Sequence, residues 1–324
     1  MAFSSSTSVT RPALACPWPS WSPHSEAERI EPGALARGSV AQPTISRYAS
    51  AVMSIPGASA HVRGGPPSPP LPADDPELLT LDLRELRRHW EAAAARTPMT
   101  AAAMTGADRR AQALGIPGER LMEHAGTAVA AAARALAIDT GRWGRGPIVI
   151  LVGPGNNGGD GLVAARHLAA IGAKVVVALV SSSARPSTPD AARNWDRIVR
   201  DDSITIVHTP VARDVALLGH GIEKAAVIVD ALLGTGVHGP LREPIRAAVE
   251  LINRARAELV PVLAVDAPTA IDLTSGDPSD PAVRADLTIT FHRPKTGLAT
   301  RNGRALAGRV LVAPIGIPSE ADRG

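Results

Sequence analysis

Residues 153–161 read GPGNNGGDG, and they follow the apolar run PIVILV of residues 147–152 directly. This combination is typical of a buried strand that ends in a glycine-rich turn and enters a helix. Glycines there let the backbone approach a ligand closely, and free N–H groups at a helix start favour phosphate. Gly153, Gly155 and Gly158 have the G-x-G-x-x-G spacing, but the stretch lacks the GK[ST] of a P-loop, and a glycine-rich turn alone also serves simply to turn the chain. The oxygen-bearing side chains of Asn156, Asn157 and Asp160 go beyond that need and indicate specific hydrogen bonding or a hard cation.

Around this stretch, apolar β-branched runs alternate with helical segments from residue 97 onward. Such alternation predicts a mostly parallel sheet with helices on both faces, a Rossmann-like doubly wound αβα domain. Ligands bind such folds beyond the carboxyl ends of the strands. The predicted strands are Ile148–Val152, Lys174–Val180, Thr205–His208, Ala226–Asp230, Val262–Asp266, Leu287–Phe291 and Arg309–Ala313. The predicted helices are 100–114, 119–137, 159–171, 187–200, 211–219 and 243–256.

Composition excludes several classes of protein. The 324 residues are 45% hydrophobic but only 2% aromatic, so aliphatic side chains must fill the core. No uninterrupted apolar run reaches the ~18 residues of a membrane span, so we expect no membrane insertion. A single cysteine, Cys16, excludes an internal disulfide and a multi-cysteine metal site. The net charge of +3 comes from well-mixed charges without a dense basic run, so we expect no nucleic-acid partner.

The composition changes sharply near residue 97. Residues 1–75 are rich in Ser and Pro and predict a disordered or targeting-like extension. Their acid-free start resembles an organelle transit peptide, with a non-conserved tail or an upstream start codon as the alternative. We therefore expect a cytoplasmic protein, or a mitochondrial or plastid one if the extension is a transit peptide. A helix is predicted over residues 76–96, where Leu79, Leu83, Leu86 and Trp90 recur at helical spacing, and residues 319–324 are interpreted as a tail.

Two further predicted strands also end in oxygen-bearing side chains, as the first one does. Asp230 closes one strand and is followed by a glycine loop over Gly234–Pro240, and Asp266 closes the next, with Thr269 three residues on. A carboxylate in this position can merely cap a helix or bind a loop amide. Because three such ends of one parallel sheet face the same crevice, a functional site is favoured.

Oxygen ligands from Asn, Asp and Thr, without His or Cys, suit a hard cation rather than zinc or copper. So few carboxylates among neutral oxygens fit a monovalent ion better than calcium. Lys295, just after the sixth predicted strand, either binds phosphate or is a solvated surface charge. His124 and His167 are interpreted as structural residues.

The order of the motifs resembles the YjeF N-terminal domain family, the NAD(P)H-hydrate epimerases, over residues 97–318. The resemblance runs through PMTAAAMTGADRRAQALGIPGERLMEHAG, VGPGNNGGDGLVAARHL, VDALLGTGVHGPL, VDAPTAIDLTSG, VRADLTITFHRPKTGL and GRVLVAPIGIP. It implies an isomerase that interconverts the R and S forms of hydrated NADH and NADPH, in a repair step that feeds a dehydratase. The dehydratase would be a separate protein here, and a homodimer is an expectation from the family alone.

The resemblance also implies roles for particular residues. Asn157, Asp230 and Thr269 would hold one potassium ion per subunit. Asp266 and Lys295 would contribute to the substrate site with two loops. The loop residues are Asn156, Asn157, Gly158, Gly159, Asp160, Gly234, Thr235, Gly236, Val237, His238, Gly239 and Pro240.

The chemistry of the substrate suggests a mechanism. The hydrated carbon carries a hydroxyl and the ring nitrogen, so its configuration is lost by ring opening or by departure of hydroxide to an iminium. Either route needs a group that moves a proton at that oxygen. Asp230 is the first candidate and Asp266 the second, although binding to potassium would lower the basicity of Asp230.

The sequence departs from the family pattern at Thr269-Ala270, where Ser-Gly is usual, and at His124, where Asn is usual. Threonine keeps the hydroxyl, but alanine would be strained if position 270 needs a positive φ. A non-catalytic YjeF-type nucleotide-binding or assembly module is the rival function, and it would predict loss of the carboxylates and of the NNGGD loop. An ordinary Rossmann dehydrogenase is disfavoured because no acidic residue closes the second predicted strand, which runs into SSSARPS instead.

Overall fold

A computed structural model describes residues 69–234 and 239–322. Most of the predicted N-terminal extension, with its targeting interpretation, lies outside these residues, as do Thr235, Gly236, Val237 and His238 of the second glycine loop. Within the two described ranges, no helix has the length and apolarity needed to cross a membrane.

Seven parallel strands form one sheet in the order β3-β2-β1-β4-β5-β6-β7. This confirms the predicted doubly wound α/β class, and each predicted strand is present with its ends shifted by at most one residue. The parallel pairing explains why the strands read as continuous apolar runs, since helices cover both faces. The strands are β1 (Ile148–Val152), β2 (Val175–Leu179), β3 (Ile204–His208), β4 (Val227–Ala231), β5 (Val262–Val265), β6 (Leu287–Phe291) and β7 (Arg309–Ala313).

Nine α-helices are present in the described part of the chain. Those predicted from residue 100 onward are confirmed with shifted ends, whereas the short last helix was not predicted. The helices are α1 (Leu83–His89), α2 (Glu91–Ala94), α3 (Ala101–Ala113), α4 (Gly118–Asp139), α5 (Asn156–Ala170), α6 (Pro189–Ile198), α7 (Ala212–Leu218), α8 (Ile245–Ala257) and α9 (Arg301–Ala307).

Two apolar cores flank the sheet. Alternate residues of β1 point to opposite faces, so Ile150 packs with α4, α5 and α6, while Leu151 packs with α7 and α8. Helix α4 contributes a run of buried alanines, Ala130–Ala133, to the first core. Because alanine is small, α4 lies close to the strands and to α5, and aliphatic packing replaces the missing aromatics.

The strand order reverses at β1, which pairs with β2 on one side and β4 on the other. Connections leave β1 and β4 toward opposite faces of the sheet, and a crevice therefore opens between their carboxyl ends. The GPGNNGGDG stretch leaves β1 at this crevice, and the loop beginning at Leu232 leaves β4 beside it.

The segment before residue 97 differs from its prediction. A 3₁₀ turn over Leu78–Thr80, α1 and α2 replace the single predicted helix. The cause is local: the Asp82 side chain accepts from the Glu85 amide while the Glu85 side chain accepts from the Asp82 amide, and this capping box starts α1 only at residue 83. Leu78, Leu86 and Trp90 are buried in the core that contains α4, so this segment is part of the domain.

Both ends of the described chain are more tightly packed than predicted. Residues 72–74, assigned above to the extension, form a 3₁₀ turn beside α4. In the predicted tail over 319–324, the buried Asp322 carboxyl pairs with Arg96, His292 and Arg293. Burial alone would raise the pKa of Asp322, but the hydrogen bonds from His292 and Arg293 and the nearby charges hold it below its usual range.

Candidate active site

The candidate site is a cleft of about 230 Å³ beyond the carboxyl ends of β1 and β5. Three predicted residues line it: Asn156, Asp160 and Asp266. One wall is built by α3 and α4, which the sequence did not assign to the site. The other lining residues are Met104, Thr105, Asp108, Gln112, Gly118, Leu121, Met122, Ala125, Asp190, Phe291 and Ile315.

The glycines of the opening stretch allow a very tight turn. Helix α5 begins at Asn156, three residues earlier than predicted, so the NNGGD residues form its first turn and a half. A methyl group at Gly158 would overlap the carbonyl oxygen of Gly153 and lie 3.0 Å from its carbonyl carbon. A methyl group at Gly153 would likewise overlap the carbonyl oxygen of Leu232 and lie 2.8 Å from its carbonyl carbon. Close approach to a backbone carbonyl, that of Gly153 for Gly158 and that of Leu232 for Gly153, therefore requires these two glycines, and positive φ does not.

Asp230 lies at the end of β4 and is completely buried. The Thr269 amide donates to its Oδ2 at 2.7 Å and the Thr269 hydroxyl donates to its Oδ1 at 2.7 Å. The Leu232 amide donates to Oδ1 at 3.3 Å, and the Leu233 amide donates to the Thr269 hydroxyl at 3.1 Å. Asp230 and Thr269 therefore come together as predicted, but they lie inside the protein and not on the wall of the cleft.

In the described part of the chain, only neutral groups donate to the Asp230 carboxyl. Burial raises the pKa of Asp230 to about 6, although its hydrogen bonds with Thr269 and Leu232 oppose the shift. The Asn157 side chain packs against Gly234, and its buried amide nitrogen has no hydrogen-bond partner. Turning this amide over would place an oxygen at the same point. A buried carboxylate, a hydroxyl and an amide oxygen fit a monovalent cation, which would supply the missing positive charge.

Asp266 is held by donors from the end of β6. The Thr290 hydroxyl donates to its Oδ1 at 2.9 Å, and the Lys295 ammonium lies 3.4 Å from the same oxygen. Asp266 has a φ of 61°, in the left-handed region that is costly for a residue other than glycine. This turn directs the carboxyl back toward the cleft at the point where β5 ends.

Lys295 is not a solvated surface charge, because its side chain is fully buried. The ammonium donates to the Thr290 hydroxyl at 2.9 Å and to the carbonyls of Phe291 at 2.8 Å and Arg293 at 3.2 Å. Burial lowers the pKa of this ammonium, and the charge of Asp266 partly opposes the effect. Since all its donors are engaged within the protein, Lys295 is better placed to support Asp266 than to bind a phosphate.

Asp160 projects from the first turns of α5 and is half-buried at the cleft. No hydrogen bond reaches its carboxyl from the residues the structure describes. Burial raises the pKa of Asp160 well above its usual range, and the negative charges of Asp266 and Asp108 raise it further. Asp160 and Asp266, two of the four carboxyls that line the cleft, therefore lie in different environments.

The remaining predicted residues lie apart from the cleft. Gly239 and Pro240 are exposed on the second glycine loop. The His124 Nδ1 accepts from the Ala73 amide at 3.1 Å, and His167 binds Glu123 at 2.9 Å. Both histidines thus contact protein groups, in agreement with their structural interpretation.

One wall residue had a signal in the sequence. Met104, Thr105, Asp108 and Gln112 recur at helical spacing along α3, so they share one face of the helix. Asp108 accepts a hydrogen bond from Gln112 at 2.9 Å and faces the cleft. A carboxylate on the helix face that also carries Met104, Thr105 and Gln112 was the available clue.

Ala270 has a φ of 76° and is buried, so the strain predicted for alanine at this position is present. Replacing it with glycine removes about 1–2 kcal/mol of left-handed strain. The change also loses about 0.8 kcal/mol of methyl burial and adds about 0.4–1 kcal/mol of unfolded-chain entropy. We therefore expect Ala270→Gly to change the free energy of unfolding by less than about 1 kcal/mol, measured by urea denaturation.

The matched control is Ala267→Gly, three residues earlier. Ala267 is equally buried but has no positive φ, so the same losses apply without relief of strain. Its cost should be about 1.5 kcal/mol. Equal destabilisation by the two substitutions would contradict the strain at Ala270.

The fold and the cleft define a class: a doubly wound α/β protein with a candidate site beyond the carboxyl ends of its parallel strands. The sequence profile of the family described as YjeF-related protein N-terminus matches residues 118–297. The chain belongs to this family.

Relatives of known name agree with this assignment. NAD(P)H-hydrate epimerase of Cenarchaeum symbiosum is 39% identical over 225 residues, covering 68% of this chain and 96% of the relative. The bifunctional NAD(P)H-hydrate repair enzyme Nnr of Pyrobaculum aerophilum is 41% identical over 225 residues, covering 69% of this chain but only 42% of the relative. The chain thus spans about two fifths of that bifunctional relative. The crystal structure of the yeast protein ynu0 matches with a TM-score of 0.54 and 27% identity, covering 62% of this chain and 83% of that one.

Proposed function

We propose that the chain is an NAD(P)H-hydrate epimerase, an isomerase that interconverts the R and S forms of hydrated NADH and NADPH. The observation that carries this is the cleft at the carboxyl ends of the strands, where the NNGGD turn and Asp266 meet in a chain that matches nearly the whole length of named epimerases. The product would pass to a dehydratase. The bifunctional relatives carry an additional activity in a polypeptide of which this chain matches only part.

Potassium is proposed as the cation of the buried cluster. Asn157, Asp230 and Thr269 would hold it, because the cluster offers oxygen ligands and contains a carboxylate without a cationic partner in the described residues. When bound, the ion supplies a fixed positive charge beside the substrate site. Asp230 then acts as its ligand, and its complete burial makes it a poor candidate for moving protons at the substrate.

The cleft carboxyls are better placed for the chemistry. The reacting carbon of the substrate is a hemiaminal, so a group must protonate the hydroxyl that leaves and another must take a proton from the water that returns. Asp160 and Asp266 line the cleft, whereas Asp230 at the end of β4 does not. Binding of the substrate against the apolar side chains of Met104, Leu121 and Phe291 would exclude bulk water from the cleft. The electrostatic interactions of the two carboxyls with the substrate would then be stronger.

The full chain is the protein to test, since residues before 97 supply buried core side chains. We expect the isolated R epimer of NADHX to convert to S far faster than in buffer alone, followed by chromatography. Exchange of potassium for tetramethylammonium should slow the reaction, and Asp230→Asn should raise the potassium concentration needed for half-maximal rate. Conversion no faster than the buffer blank would instead support a non-catalytic binding module.

A further inference from the structure

Two carboxyls of the cleft differ in their surroundings. Asp266 has a cationic group 3.4 Å away and a hydroxyl that donates at 2.9 Å, so its negative charge is stabilised. Asp160 has neither kind of partner among the described residues and lies near the negative charges of Asp266 and Asp108. One carboxyl is therefore suited to remain ionised, and the other to carry a proton.

We propose that Asp160 and Asp266 form the acid–base pair of the epimerisation, with buried Lys295 as the positioning residue that fixes Asp266. The proposal rests on the epimerase function proposed above and assigns its proton transfers to particular residues. It replaces the initial assignment of proton transfer to Asp230, which is enclosed behind the cleft.

Asp160 supplies the proton that the leaving hydroxyl needs, and Asp266 accepts the proton that the returning water loses. Protonated Asp160 gives its proton to the hydroxyl of the hydrated carbon, and the C–O bond breaks with its electron pair on oxygen, releasing water. The lone pair of the ring nitrogen forms the C=N bond of an iminium ion, whose charge the Asp266 carboxylate stabilises. Water then adds to the opposite face, the C=N electrons return to nitrogen, and Asp266 accepts the proton that this water loses. The pair is reset by proton exchange with solvent or by the reverse reaction, in which the two roles are exchanged.

The charges around the pair support this division of roles. The other titratable groups that line the cleft are Asp108 on α3, Asp190 on α6 and Asp266 just after β5, all acidic. Lys295 is the cation nearest to Asp266, and its three hydrogen bonds to protein oxygens fix it in place. Burial and the charges of Asp266 and Asp108 raise the pKa of Asp160, which favours its protonated form relative to an ordinary aspartate.

The test compares Asp160→Asn and Asp266→Asn with the matched control Asp139→Asn. Asp139 pairs with Arg309 at 3.0 Å and does not line the cleft, so it has no role in the proposal. We expect R-to-S conversion to fall by about 10²–10⁴-fold in the first two variants. Asp139→Asn should stay within a few-fold of wild type, and all variants should bind NADPH with similar affinity by calorimetry.

The pH profile separates an acid from a merely structural carboxyl. Because Asp160 donates only while protonated, the wild-type rate should fall as pH rises through the pKa of Asp160, and Asp160→Asn should lack this decline. If wild type is active and Asp160→Asn keeps more than a tenth of its rate, the acid–base pair is wrong while the epimerase function stands. An inactive wild type would overturn both.

Discussion

Replacing Gly158 by alanine is expected to destabilise the protein by about 3 kcal/mol or more and to lower epimerase activity at least about 10²-fold. The added methyl group would overlap the Gly153 carbonyl oxygen, and backbone atoms cannot rotate away as a side chain can. Relief requires the first turn of α5 to move away from β1. Such a movement displaces Asp160 and Asn157 together, so catalysis and the proposed ion site fail with the fold. Urea denaturation and the R-to-S assay measure the two effects.

Gly155 provides the control within the same stretch. A methyl group there meets no atom within 4 Å, and Gly155 has a φ of −98°, which any residue can adopt. Gly155→Ala should cost less than about 1 kcal/mol, the difference between glycine and alanine at a helix N-cap, and should keep most activity. Similar behaviour of the two alanine variants would show that the tight approach of residue 158 to residue 153 does not exist in the protein.

The strand ends could be predicted because their geometry follows from a short-range pattern. Continuous apolar runs separated by helices require a parallel sheet, and the carboxyl ends of parallel strands share one edge. Asp230 and Asp266 were therefore placed at one edge of the sheet from the sequence alone. What the pattern could not show is that Asp230 is sealed by Thr269 while Asp266 turns toward the cleft. That difference depends on the loops after the strands, whose conformation no periodicity encodes.

Other parts of the site depend on contacts between distant segments. The α3 wall with Asp108 was missed because the face that a helix presents to a cleft is fixed by tertiary packing. The burial of Lys295 also could not be predicted from the residues next to it in the sequence. The Met99 amide donates to the Pro294 carbonyl at 2.9 Å, and the Thr296 amide donates to the Met99 carbonyl at 3.0 Å. A segment nearly 200 residues away thus covers the lysine.

Lys295→Met is expected to lower the free energy of unfolding by about 3–5 kcal/mol, because it removes one partner of a buried ion pair and leaves the other unpaired. Methionine fills most of the space, so lost volume is a minor contribution. The Thr290 hydroxyl and the Phe291 and Arg293 carbonyls lose their donor, and Asp266 loses its positive neighbour. We also expect at least about a 10²-fold loss of activity, since a small misplacement of a reacting group can have that effect.

The other two lysines of the chain are the matched controls. Lys174 and Lys224 are both exposed, so Lys174→Met and Lys224→Met should each change stability by less than about 0.5 kcal/mol and leave the rate unaltered. A loss in Lys295→Met no greater than in these variants would contradict the buried pairing with Asp266.

The double variant Lys295→Met, Asp266→Asn separates stability from catalysis. A neutral amide beside methionine no longer needs a counter-charge, so the double variant should be more stable than the sum of the single changes predicts, by about 0.5–3 kcal/mol. Its activity should remain at the level of Asp266→Asn, because stability does not restore a missing proton acceptor. Strictly additive losses of stability would mean that the 3.4 Å approach carries no interaction, and Lys295 would then act through its carbonyl partners alone.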